Sequence, residues 1–291
     1  MLFRSRFVSQ TFLSMGAPDP RLNTSGKTDF RLARMIYKLK KEDSPPNRVK
    51  PIPIKVFRRL AFIASNSECE LTKGITDMII IAFFFLLRPG EYTNSESDTT
   101  PFTLTDVQLF VGGRRLNLLT FTDAELHTAT FASLTFTTQK NGVRGEVIGL
   151  GLSGDPFLCC VKACARRVVH LRAHNAPATT PLATAYLNQT PHKIQPKHIT
   201  KALKDCVTFL GADLGFLATD VTARCLRASG ANALLLAKVH TDIIRLIGRW
   251  RSDEMLRYLH VQAAPLMSDC ARRMLQAGHY TLIPNQLVPQ H

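Results

Sequence analysis

Four places in the chain put cationic or nucleophilic side chains where the local sequence turns. Arg88 stands in LLRPGEYT, directly after a long apolar run, with Glu91 three residues on. Lys140 precedes an Asn141-Gly142 pair. Arg224 and Arg227 lie three apart in TARCLRASG, a spacing that on a helix puts both on one face. Two guanidiniums so placed repel unless an anion sits between them, and phosphate matches the planar guanidinium fork. The stretch IGRWRSDEMLRYLH, from Ile247 to His260, holds the only tryptophan, Trp250, and then Tyr258. Tyr258 falls in the second turn of a helix begun at Ser252, and Trp250 lies just ahead of that cap.

Each feature also has a plain structural reading. Arg88 and Glu91 make an ordinary helix-end ion pair. A lysine at a turn is usually solvated. One of Arg224 and Arg227 points to solvent while the other meets an acid. A lone tryptophan usually anchors a core.

The whole chain bears on the choice. It has 291 residues, a formal net charge of +15 and a pI of 9.8. Hydrophobic residues make up 45%, enough for a sizeable core and against wholesale disorder. The basic excess favours a polyanionic partner, nucleic acid first and an acidic membrane surface second. Seven scattered cysteines form no disulfide framework and fit a reducing intracellular compartment. Cys160, Cys164, His170 and His174 sit at helical spacings. Without a CxxC pair they read as an amphipathic helix with buried thiols, not as a metal site. MIIIAFFFLL is too short to span a bilayer and reads as a buried helix. The basic, acid-free start MLFRSRFVSQTFLSMG has the composition of a mitochondrial presequence and equally that of an amphipathic helix.

The elements that must position these groups are mostly helical. Residues 1–50 are basic and core-poor, with one helix over TDFRLARMIYKLKKED capped by Thr28 or Asp29. SPPNRVKPIPIKV follows as a stiff, Pro-rich basic linker to about residue 53. Helices are expected over IKVFRRLAFIAS and LTKGITDMIIIAFFFLL, with Pro89-Gly90 as terminator of the second. FTLTDVQLFVGGRRLNL reads as strand, turn, strand, and SLTFTTQKNGVRGEVIGL as a hairpin with a type I′ turn at Asn141-Gly142. Further helices follow over FLCCVKACARRVVHLRAH, KHITKALKDCVTFLGADLG, TARCLRASGANALLLAKV, TDIIRLIGRW, SDEMLRYLHVQAAPL and MSDCARRMLQAG, with Thr241 and Ser252 as N-caps. The fold class is mixed, mainly α with a small antiparallel sheet.

The order of the four features resembles the tyrosine recombinases, the phage integrase and Cre-like family, over about residues 53–285. RPGE matches the family's Arg-x-x-Glu, TTQKNG its hairpin lysine, and RCLR stands where the family usually has His-x-x-Arg. GRW followed by Tyr258 matches the Gly-His/Trp turn and its nucleophile. The wording is closest to recombinases of eukaryotic mobile elements such as the Crypton and DIRS groups. The resemblance implies a DNA breaking-rejoining catalytic domain at 54–285, a tail at 286–291, and a partial core-binding segment in residues 1–50. It implies that Tyr258 attacks a phosphodiester to form a 3′-phosphotyrosyl link, with double-stranded DNA as partner, a tetrameric synapse as assembly, and neither ATP, metal nor cofactor. Arg88 and Arg227 would clamp the phosphate, and Lys140 would protonate the leaving 5′-oxygen. Arg224 would hold the usual histidine position, and Trp250 or Arg249 the turn position, with Trp250 favoured by side-chain type. A nuclear location follows if the source is eukaryotic. Arg224 departs from the pattern, because arginine holds a phosphate but accepts no proton. With the short N-terminal segment, that departure supports an alternative: a DNA-binding protein derived from a recombinase and impaired in catalysis.

Overall fold

The computed structural model describes residues 9–42, 49–94, 100–137, 145–211 and 214–250, the side chains of 39–42 excepted. Lys140, Tyr258, Ser252 and the last two expected helices lie outside the described residues.

The chain divides into two units, Met1–Asn47 and Arg48–His291. The first carries α1 (Phe30–Glu42). Asp29 caps it, its Oδ1 accepting from the N–H groups of Arg31 at 2.9 Å and Leu32 at 3.2 Å. Short polar side chains are favoured at this position because they satisfy donors that the first turn leaves open.

The second unit is built around a buried helix. α2 spans Ile54–Ser65, and α3 spans Glu70–Phe84 with Met78–Phe83 all buried. α3 packs against α2, α6 (Cys160–Ala173), α7 (Pro196–Leu210) and α8 (Cys225–Leu236), which explains why its apolar residues run round every face. β1 (Val107–Val111), β2 (Arg114–Leu116), β3 (Phe131–Phe136) and β4 (Glu146–Gly151) form an antiparallel sheet in the order β2-β1-β3-β4. A short helix, α5 (Asp123–His127), stands between β2 and β3 behind a Thr122 capping box. β3 and β4 are the expected hairpin, paired from Phe131↔Gly151 to Phe136↔Glu146. α6 lies against the sheet and presents Cys160 and Cys164 to the core. Among the described residues no helix is long and apolar enough to cross a membrane.

Two expectations are corrected. The long apolar helix stops at Phe84, before Pro89-Gly90. Leu86 turns left-handed (φ 51°), and the Leu87 N–H reaches back to the Ala82 carbonyl at 3.0 Å, a helix-ending loop that normally uses glycine. Pro89 then opens a new short helix, α4 (Pro89–Tyr92), where its missing N–H costs nothing. Thr241 is the first residue of α9 (Thr241–Gly248) and not its cap: His240 Nδ1 accepts from the Asp242 N–H.

A second hairpin, β5 (Thr184–Leu187) with β6 (Thr190–Lys193), was not anticipated. It docks on α6 through His170, whose Nε2 accepts the Tyr186 N–H at 3.0 Å while Nδ1 lies 3.1 Å from Glu70 Oε2. The ring is therefore neutral, with its proton on Nδ1. Burial, with Arg167 beside it, pushes the imidazole from 6.5 down to about 4, against the pull of Glu70. The unfolded chain thus binds the extra proton first. This site's contribution to stability is full above pH 6.5 and fades as pH falls toward 4. The urea midpoint of the wild type should drop across that window, and that of His170→Gln should drop less steeply.

Candidate functional site

The helix ends place the cationic side chains. Arg88 is the N-cap residue of α4, and its backbone N–H donates to Glu91 Oε2 at 2.7 Å while its Nη1 donates to Glu91 Oε1 at 3.0 Å. The Arg88 side chain is 28% exposed, against 2% for Glu91. Among the described residues Glu91 is the only hydrogen-bond partner of its guanidinium.

Arg227 lies within the first turn of α8 and is buried. Its Nη1 donates to the Leu86 carbonyl and its Nη2 to the Gly248 carbonyl. Its guanidinium carbon sits 4.1 Å from the centre of the Trp250 ring, a cation–π contact. Trp250 itself packs with Leu86, Ala231 and Ile244. The close crossing of α8 over the end of α3 makes this geometry possible. A Cβ built on Gly230 would lie 2.2 Å from the Phe83 carbonyl oxygen. No side chain fits there, and the arginine one turn earlier is brought up to Leu86.

Arg224 precedes α8 and is exposed, without a hydrogen-bond or ion-pair partner among the described residues. The expected pairing of Arg224 with Arg227 around one anion is therefore corrected. One of the two faces solvent, and the other is turned inward because backbone carbonyls at the α3 and α9 ends give it better partners than solvent does. The Tyr92 hydroxyl donates to the Ala223 carbonyl at 2.9 Å, tying the residue before Arg224 to α4.

The residue that stood second to Trp250 for the turn position, Arg249, is buried too. Arg249 caps α9 in the left-handed region (φ 56°, ψ 40°). Its side chain is 1% exposed. Nη2 donates to Glu91 Oε2 at 3.0 Å and reaches the Leu86 carbonyl at 3.4 Å. Nη1 donates to the carbonyls of Ile247 at 2.9 Å and Phe85 at 3.3 Å. Its guanidinium carbon lies 3.8 Å from the centre of the Phe136 ring, at the end of β3. Burial pulls its pKa down to about 10, with Glu91 opposing. Non-glycine residues in the left-handed region cost about 1–3 kcal/mol each and gather at functional sites. Here Leu86 and Arg249 both adopt it, and the two are in contact through the Leu86 carbonyl.

The structure thus joins Arg88, Glu91, Arg249, Leu86, Arg227 and Trp250 in one connected network drawn from three separate stretches of sequence. Arg88 and Arg224 present donors outward. Among the described residues no cluster of metal-ligating side chains occurs.

The chain matches no protein-family model and no curated protein. Among solved structures it is similar to a XerA recombinase, with a TM-score of 0.47 and 15% identity over 96% of this chain and 91% of that one.

Proposed function

We propose that the chain is a DNA-binding tyrosine recombinase or integrase, of the kind found in Crypton and DIRS elements. The observation that carries this reading is the network itself: Arg88, Arg227 and Arg249 meet around Glu91 and the Leu86 carbonyl, with Arg88 held in place and still offering donors. In the proposed reaction Tyr258 loses its phenolic proton to water, its oxygen bonds to phosphorus, the bond from phosphorus to the 5′-oxygen breaks, and Lys140 gives that oxygen a proton. Attack by a second 5′-hydroxyl reverses the step on a new partner. Arg88 and Arg224 meet the charge that builds on the non-bridging oxygens, where fixed cations act without reorganising, and Arg227, committed to the Leu86 and Gly248 carbonyls, holds the helix ends beneath them. Trp250 packs against Arg227 and holds its plane.

A second reading, a DNA-binding protein with its chemistry lost, is favoured by Arg227, whose terminal nitrogens both donate to backbone carbonyls. It is favoured too by Arg224, which provides no base. General-base help is worth about 10²–10⁴-fold where it operates.

Nicked duplexes randomised around the nick separate the two. The wild type should yield a protein–DNA band that survives denaturant, and Tyr258→Phe should yield none while binding DNA equally well. Equal binding with no adduct from either protein makes the second reading correct.

A further inference from the structure

We infer that Arg249 is a positioning residue: it does not touch DNA but fixes Glu91, and through Glu91 the guanidinium of Arg88. The inference rests on the recombinase reading above and adds to it a division of labour between buried and accessible arginines.

Arg249 is enclosed, and its one uncommitted donor, Nε, is buried with it. Its side chain is 1% exposed, and both terminal nitrogens donate inward. What it does hold is the one carboxylate that orients Arg88. Glu91 Oε2 takes the Arg249 Nη2 and the Arg88 backbone N–H, and Oε1 takes the Arg88 Nη1. Each oxygen is thus committed to a different part of Arg88. A rotation of the carboxyl group would release the side chain and the α4 cap together. Arg249 blocks that rotation, being itself locked by three carbonyls from two helix ends and by the Phe136 ring beneath it. A lysine keeps the charge but lacks the fork that spans these acceptors.

The test measures adduct formation and DNA affinity together, on duplexes recovered from the randomised nicked pool. Arg249→Lys and Arg249→Gln should each lower the cleavage rate about 100-fold, the cost of a small misplacement of a catalytic group. Both should leave affinity for the same duplex unchanged. Arg249→Gln combined with Glu91→Gln should cleave about as slowly as the slower of its two single variants, because both changes loosen the same hold on Arg88. If the Gln variant does not fold, the Lys and double variants carry the measurement. Cleavage at the wild-type rate by either of the single variants overturns the inference and leaves the recombinase reading standing. Loss of DNA affinity in parallel with cleavage makes Arg249 merely structural and overturns it too. No adduct from the wild type overturns the recombinase reading and this inference with it.

Discussion

Gly230→Ala should melt well below the wild type, although helix propensity alone argues the reverse. Alanine is worth about 1 kcal/mol over glycine in a helix interior. Gly230 lies inside α8, so an open site there would gain that amount. The site is not open. The added methyl would stand 2.2 Å from the Phe83 carbonyl oxygen and 2.3 Å from Leu86 Cδ2. A leucine tip can move, but a carbonyl in the last turn of a buried helix cannot, so α8 must shift. Overpacking of this kind costs about 1–3 kcal/mol and sometimes more, which for a chain of this size is a fall of roughly 2–12 °C in melting temperature. The shift also pulls Arg227 from the Leu86 carbonyl, so adduct formation should fall with stability. A melting temperature equal to or above that of the wild type would show that α3 and α8 do not approach so closely.

This crossing also shows how far the sequence could be read. Ile54–Ser65 was legible in full, since its apolar spacing and the preceding prolines leave one solution. The β1–β2 turn was equally legible because Gly112 and Gly113 announce positive φ, at 52° and 84°. The end of α3 was not. A glycine normally marks a left-handed helix stop, and here the residue is Leu86, held by what packs on it from α8 and α9. The β5–β6 hairpin turns on Asn188 and Gln189, both at positive φ, and Gln189 carries no such signal. Pro191 further disguises β6.

The site divides in the same way. Residue types gave Arg88 and Glu91 as a pair at short range, and the pair is present. The inward turn of Arg227 had no signature, because its hydrogen-bond acceptors are the backbone carbonyls of residues 86 and 248, which any sequence possesses. Arg249 had a faint one. It stands nine residues before Tyr258 and Trp250 stands eight, and only folding shows that the first reaches Glu91 while the second covers Arg227.

Removing the Glu91 carboxylate should be among the most damaging single changes in the chain. Glu91→Ala strips the counter-charge from Arg249, which at 1% exposure cannot turn to water, and unties the α4 cap at the same time. Breaking a buried pair from one side costs about 3–5 kcal/mol, because the remaining charge stays desolvated. Glu91→Gln should cost less, since an amide oxygen still accepts one of the two arginine bonds. The decisive comparison is Glu91→Ala with Arg249→Met. If the damage comes from an uncompensated cation, the double variant should be more stable than Glu91→Ala alone, since methionine fills the space over Phe136 without a charge. If it comes from the lost cap, the two costs should add. Trp250 is the only tryptophan and lies against Arg227, so urea unfolding followed by its fluorescence reports on this network directly. A Glu91→Ala midpoint within error of the wild type would mean that the carboxylate is dispensable, and that backbone carbonyls and the Phe136 ring suffice to hold Arg249.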